Sequence, residues 1–378
     1  MSMSSGSGVG PEAPVMVLGG AASSFVAKNI FGLSNRPLRL FVLCGICGAH
    51  SAFFNSCITG IFGLESMHSL GLEYFEAFTP GIVASLIGGT LLPLLFGRNY
   101  AAVFTFSDNL EVVSPWPNAF YGFLLGLAGA LIAFYFFCLG KIYGKISAKL
   151  GLARFAPYLP YAAWIVFSVC GMLLPPILFW GEPELNNIIS TNAVPLYHYQ
   201  GAGGIIDLGT QYSPVVVFMI AFTKLTILPF SIAMSMKGGI VFPLFFIGGT
   251  IGQFIHMVTG INQALAVACV MAAAQGAVTR TPLASALVAT FDGHGVVAQL
   301  LIPVAIASYT STLLNYKFGV FPTQKSRSDF HWTDEAMPIK TDVSVQQPPT
   351  NQSYSALQDE DDDSQVNSDP ARIRMVTE

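Results

Sequence analysis

Apolar positions in this chain run in long unbroken blocks. They neither alternate as in half-buried strands nor recur on one face as in surface helices. Blocks of membrane length fall at about residues 38–64, 78–97, 117–140, 157–180, 213–235, 239–258, 262–276 and 282–316. A hydrocarbon core is spanned by roughly 20 helical residues. Several blocks are too short or too long for one straight crossing, and Gly238-Gly239, Pro243, Gly276 and Pro282 interrupt them. Broken backbone at membrane depth is tolerated only where protein or a cavity surrounds it. The pattern therefore predicts an all-α integral membrane protein, multi-pass, built from short, tilted and broken helices of the kind found in transporters and channels.

Charge sharpens this picture. Charged residues make up 10% of the 378 positions, against 53% hydrophobic ones. Residues 1–316 carry 11 Lys/Arg and 10 Asp/Glu, and residues 317–378 carry 6 and 11. A nearly neutral apolar body is thus followed by an acidic tail. This excludes a soluble enzyme, a nucleic-acid partner and a disulfide-rich secreted domain. The division predicts a transmembrane domain over 1–322 and a disordered acidic tail over 323–378, since the tail has too little apolar surface to fold. Lys141, Lys145, Lys149 and Arg154, together with Lys317, Lys325 and Arg327, place their loops on the cytoplasmic side by the positive-inside rule. In the tail, Tyr354-Ser-Ala-Leu357 stands beside the acidic run Asp359–Asp363, in the pattern of a sorting signal or of a solvated linker.

Smaller features read as packing. Cys44 and Cys47 form a C-x-x-C inside an apolar run, where both serve as small buried residues. The histidines show no metal-ligand spacing, and no metal or other cofactor is expected. Gly122/Gly126 and Gly248/Gly252 have the G-x-x-x-G spacing of closely packed membrane helices.

Three segments carry candidate chemistry. In Gly10-Pro-Glu-Ala-Pro14, Glu12 opens an apolar helix, where an acidic side chain is costly in lipid. Helix N-termini attract anions. Glu12 can be that anion, seated where a permeant anion would otherwise sit and released on protonation, or it can simply cap a helix at the membrane surface. In Lys237-Gly-Gly-Ile-Val-Phe-Pro243, Gly238 and Gly239 allow a sharp turn, and the N–H groups of Ile240 and Val241 make a backbone anion site without a cationic side chain. The alternative is a kinked helix without a ligand. In Gly276-Ala-Val-Thr-Arg-Thr-Pro-Leu283, Arg280 is expected to satisfy carbonyls at a helix end.

In this order and spacing, the three segments resemble the CLC chloride channels and chloride/proton exchangers. Gly10-Pro-Glu-Ala-Pro14 is similar to the family's G-[KR]-E-G-P, Gly238-Gly-Ile-Val-Phe-Pro243 to G-G-I-F-x-P, and Thr279-Arg-Thr-Pro-Leu283 to T-R-x-P-L. The stretch Leu38–Glu65 is similar to the helix following the glutamate segment, and the likeness runs from about Gly6 to Pro322. The resemblance implies a bundle of two inverted repeats, one anion pathway per subunit, and a homodimer in membrane lipid. Its cargo would be chloride or a similar small anion, with Glu12 as gate and Gly238, Gly239, Ile240 and Val241 as the anion-binding turn. Subunit contacts are expected near 70–97 and 282–313, with Leu86, Leu91, Leu287 and Leu300 as candidates.

The departures imply as much. The family's filter motif G-S-G-I-P lies upstream of the glutamate segment, so the first repeat is expected to be incomplete here. The proton-relay glutamate of exchangers directly follows the position of Glu65 and is Ser66, with Glu65 and Glu73 the nearest alternative carboxylates. The central tyrosine position is Gln324. The expectation is anion transport that is channel-like or uncoupled from protons, with a non-conducting membrane subunit as the alternative.

Overall fold

The computed structural model describes residues 6–54, 56, 58–66, 72, 74–96, 115–190, 212–291 and 297–320. Among these every regular element is a helix, with no strand. The helices are α1 (Glu12–Asn29), α2 (Asn35–Phe54), α3 (Ile61–Ser66), α4 (Tyr74–Phe96), α5 (Pro115–Lys149), α6 (Leu159–Leu173), α7 (Glu182–Ile189), α8 (Pro214–Ala233), α9 (Val241–Thr259), α10 (Gln263–Thr279), α11 (Pro282–Phe291) and α12 (Val297–Leu314). Four stretches are long and apolar enough to cross a membrane: Asn35–Phe54, Pro117–Lys149, Pro214–Ala233 and Val241–Thr259.

The centre of the bundle is α10, all of whose residues are buried. It has no charged side chain, and its Ala-rich surface lets α5, α9, α11 and α12 come close. Glycine makes the contacts. A Cβ at Gly248 or Gly252 of α9 would press into the α10 backbone at Val270–Met271 and Ala266–Val267. Gly122 and Gly126 of α5 meet α12 in the same way at Pro303 and Ala307. Both G-x-x-x-G pairs are thus helix crossings, as the spacing leads one to expect.

The breaks differ in detail from the sequence pattern. The block at 38–64 divides into α2 and α3, and that at 282–316 into α11 and α12. Gly276 does not interrupt α10, which runs on to Thr279. The turn comes at Arg280, in the left-handed region with φ 56°, its N–H donating to Gly276 O. Pro243 lies in the first turn of α9, where the missing N–H costs no helical hydrogen bond. The ends of other helices follow capping rules. Ser213 accepts from Val216 N at the start of α8, and Asn262 accepts from Leu265 N at the start of α10.

Two expectations on assembly separate here. Leu86 and Leu91 of α4 are exposed, whereas Leu300 is 2% exposed within the chain itself. Leu300 packs into the bundle's own core and has no surface to offer a second subunit; Leu287 is half-buried against the same core. Gln324, Glu73, the Tyr354–Leu357 motif and the tail from 323 onward lie outside the described residues.

Candidate functional site

Two loops meet at the heart of the chain. Gly10 N donates to Gly239 O at 2.8 Å and Gly239 N donates to Gly10 O at 2.7 Å, an antiparallel bridge between segments 229 residues apart. From this bridge α1 and α9 both start. The pairing needs two glycines: a Cβ at either Gly10 or Gly239 would overlap the Glu12 carboxyl group. Gly238 is confined as well, since its Cβ would meet the Val9 side chain at 2.5 Å.

Glu12 crosses from the first turn of α1 to the first turn of α9. Its Oε1 accepts from Val241 N at 2.7 Å and from Phe242 N at 3.2 Å. The N-cap residue of α9 itself, Ile240, has no side-chain acceptor for these groups. A carboxylate from elsewhere therefore satisfies two N–H groups that every helix start leaves unpaired. It also lies at the positive end of the helix dipole. Glu12 is 1% exposed, and its Oε2 has no hydrogen-bond partner among the described residues. Of the two donors expected from the sequence, Val241 N holds the carboxylate, and the second donor is Phe242 N where Ile240 N was expected.

Aromatic rings wall the site. Phe242 stacks on Phe54 at 4.9 Å and meets Phe53 edge-on at 5.8 Å. Behind Phe54, His50 lies between Phe54 and Phe62, parallel to the latter at 4.9 Å. A small, charged acceptor thus sits on backbone donors inside an apolar shell. The arrangement offers an acceptor backbone N–H groups alone, without the tight hold of a Lys or Arg side chain.

The sequence of a family described as voltage gated chloride channel matches residues 1–315. The chain belongs to the voltage-gated chloride channel family. It is 25% identical over 336 residues to a chloride/fluoride channel protein of Pseudomonas syringae pv. tomato, covering 85% of this chain and 65% of that protein. It spans less than two thirds of the length of the curated relatives it first matches. Among solved structures, a slow cyanobacterial Cl−/H+ antiporter superposes with a TM-score of 0.62 at 16% identity, over 82% of this chain and 70% of that one. A CLC-type fluoride/proton antiporter gives 0.59 at 18% identity, over 84% and 73%. These likenesses establish the fold of this family member as that of CLC proteins, in an integral membrane setting.

Within this CLC fold the other sequence candidates are dispersed. Ser66 closes α3, is buried, and its Oγ donates to Gly63 O at 3.3 Å. Glu65 does something the sequence reading missed. Its Oε1 accepts from Leu283 N at 3.2 Å and its Oε2 from Ala284 N at 2.7 Å, capping α11 from 218 residues away. The available signal was a lone carboxylate at the end of the apolar block 38–64.

Proposed function

We propose that this chain moves chloride or a similar small anion across a membrane, along a path that passes the N-terminus of α9. Glu12 is its gate. Supporting this is the seat of the Glu12 carboxylate on Val241 N and Phe242 N, where the side chain acts as a tethered anion. A free anion gains the same two donors and the same helix dipole once the side chain leaves. Protonation cancels the charge that holds Glu12 there and opens the seat.

The transport is uncoupled from stoichiometric proton counterflow. An exchanger needs a titratable group on each side of the anion seat, and the hydroxyl of Ser66 does not ionise near neutral pH. In membrane lipid the working form is a homodimer, with the exposed α4 face bearing Leu86 and Leu91 as the contact surface.

The test is anion efflux from liposomes holding the purified chain, with chloride and fluoride compared. Flux of either ion that is absent from empty vesicles supports the reading. Absence of flux in vesicles carrying correctly folded protein overturns it.

A further inference from the structure

A second group of buried charges lies beside the gate, and the transport mechanism above leaves it unused. Lys224 of α8 is fully buried, and its Nζ has no hydrogen-bond partner among the described residues. The ammonium lies 4.0 Å from the centroid of the Phe246 ring. It also presses on Gly181, whose φ of 93° and lack of a side chain leave the room: a Cβ there would meet Lys224 Nζ at 2.5 Å. Gly181 starts α7, and α7 opens with Glu182 and Glu184. Glu182 Oε2 accepts from Trp180 Nε1 at 3.3 Å. Glu184 Oε2 is buried and, like Lys224 Nζ, unpartnered among the described residues.

The group adjoins Glu12 by three routes. Phe179 N donates to Gly6 O at 3.1 Å, so the segments leading into α7 and α1 lie side by side. Phe242, whose N–H holds Glu12, and Phe246, whose ring carries Lys224, are four residues apart on one face of α9, about 6 Å along its axis. Finally, the carboxylates of Glu12 and Glu182 repel each other, as do those of Glu182 and Glu184, while Lys224 attracts Glu184.

Charge balance then decides the chemistry. Three carboxylates and one ammonium, all ionised, would leave two net negative charges in a largely apolar interior. Buried net charge of that kind is strongly unfavourable unless it is neutralised. Ionisation is costliest at the sealed Glu12, and its protonation is coupled through mutual repulsion to the carboxylates of α7. Exposure is graded along the cluster. Glu182 and Glu184 are half-buried, as is Tyr212, which interacts with Glu184, whereas Glu12 is sealed. No residue of α9 between Val241 and Ile255 is titratable, and His50 of α2 stands behind the Phe54 and Phe242 rings.

We propose that Glu182, Glu184 and Lys224 form a proton-exchange cluster that supplies and withdraws the proton of Glu12. A proton from solvent is taken up by a carboxylate of α7. It is passed to Glu12, where an O–H bond forms as the donor's O–H bond breaks. The ammonium of Lys224 attracts Glu184 and so favours the ionised form of the emptied carboxylates, ready to accept the next proton. Protons enter and leave from one side only, so gating is proton-dependent without net proton transport. This inference rests on the proposed role of Glu12.

The experiment is a rapid acid jump on reconstituted full-length chain, with chloride efflux and the infrared carboxyl band of Glu12 (assigned by its loss in Glu12→Gln) followed together. In the Glu182→Gln/Glu184→Gln double variant, protonation of Glu12 and the rise in efflux should slow by about tenfold or more, as loss of a positioned proton donor does. Lys224→Met, a replacement of similar size, should make acid activation begin at a higher pH, since the carboxylates lose their counter-charge. Wild-type rates in the double variant would overturn the cluster while leaving the gate intact. An unshifted Lys224→Met profile would remove Lys224 from it. If the wild-type chain carries no chloride, the transport reading falls, and the infrared rates still decide the cluster.

Discussion

Replacing Glu12 by Gln keeps the shape of the side chain and removes its charge. In the wild-type chain, one carboxylate oxygen holds two backbone donors at 2.7 and 3.2 Å. Hydrogen bonds to a charged group are worth about 1.5–3 kcal/mol each, and neutral ones about 0.5–1.5 kcal/mol. An amide oxygen in the same place therefore loses about 2–3 kcal/mol over the two bonds. The helix N-terminus adds about 1 kcal/mol for a negative charge that the amide lacks. The seated form of residue 12 should weaken by about 3–4 kcal/mol relative to the released form, a factor of roughly 10²–10³.

Efflux from liposomes measures this directly. Wild-type flux should rise as external pH falls, because protonation neutralises the same charge that the substitution removes. Glu12→Gln flux should be high at neutral pH and nearly flat on acidification. The sign matters: a gate held by a carboxylate opens toward acid and closes toward alkali. Glu12→Gln vesicles whose flux climbs with acid as steeply as the wild type would refute the reasoning, because the titrating group would then lie elsewhere.

Other consequences follow from the same geometry. Gly239→Ala places a methyl group where the Glu12 carboxyl sits, so flux per folded protein at neutral pH should increase and its acid dependence shrink; reduced flux with the acid response intact would contradict the overlap. With Ser66 after Glu65, a chloride gradient should drive no uphill proton movement detectable with a pH electrode. Glu65→Ala strips the start of α11 of both its acceptors and should cost about 1–3 kcal/mol, read as a lower unfolding temperature in detergent, while leaving the pH response of flux in place. Gly252→Val forces α9 off α10 and should destabilise by about 1–3 kcal/mol or more, whereas Gly140→Val, with open space around it, should not.

How far the sequence could lead depended on whether a feature is local. The apolar blocks, the Gly238-Gly239 turn and the two G-x-x-x-G crossings are written in consecutive residues, and each stands where the pattern puts it. The partition of blocks into helices was less legible. The helix end at Arg280 was expected from the segment 276–283, whereas Gly276, read as a break, lies inside α10. Leu300 illustrates the same limit: an apolar side chain in a membrane protein reads alike whether it faces lipid, a second subunit or its own core. The charge cluster at α7 was visible only in part. Lys224 is a lone cation in an apolar, membrane-length run, but Glu182 and Glu184 stand outside any such block, and nothing in the spacing brings them to Lys224.

The long-range contacts were beyond a linear reading for a physical reason, and they also distinguish gate from staple. Backbone N–H groups carry no residue identity, so the sequence cannot say which helix start a carboxylate will reach. Two carboxylates here each cap a distant helix. Glu65 engages both of its oxygens, one on Leu283 N and one on Ala284 N. Releasing it would leave two donors and two acceptors unpaired at once, so it is held in place and serves the fold. Glu12 places a single oxygen on both donors and leaves Oε2 without a partner among the described residues. That free oxygen is the place where a proton can bind without first breaking a hydrogen bond, and its binding removes the charge that favours the seat. The same chemical device thus serves the fold at Glu65 and the proposed gate at Glu12, and the number of oxygens engaged separates the two.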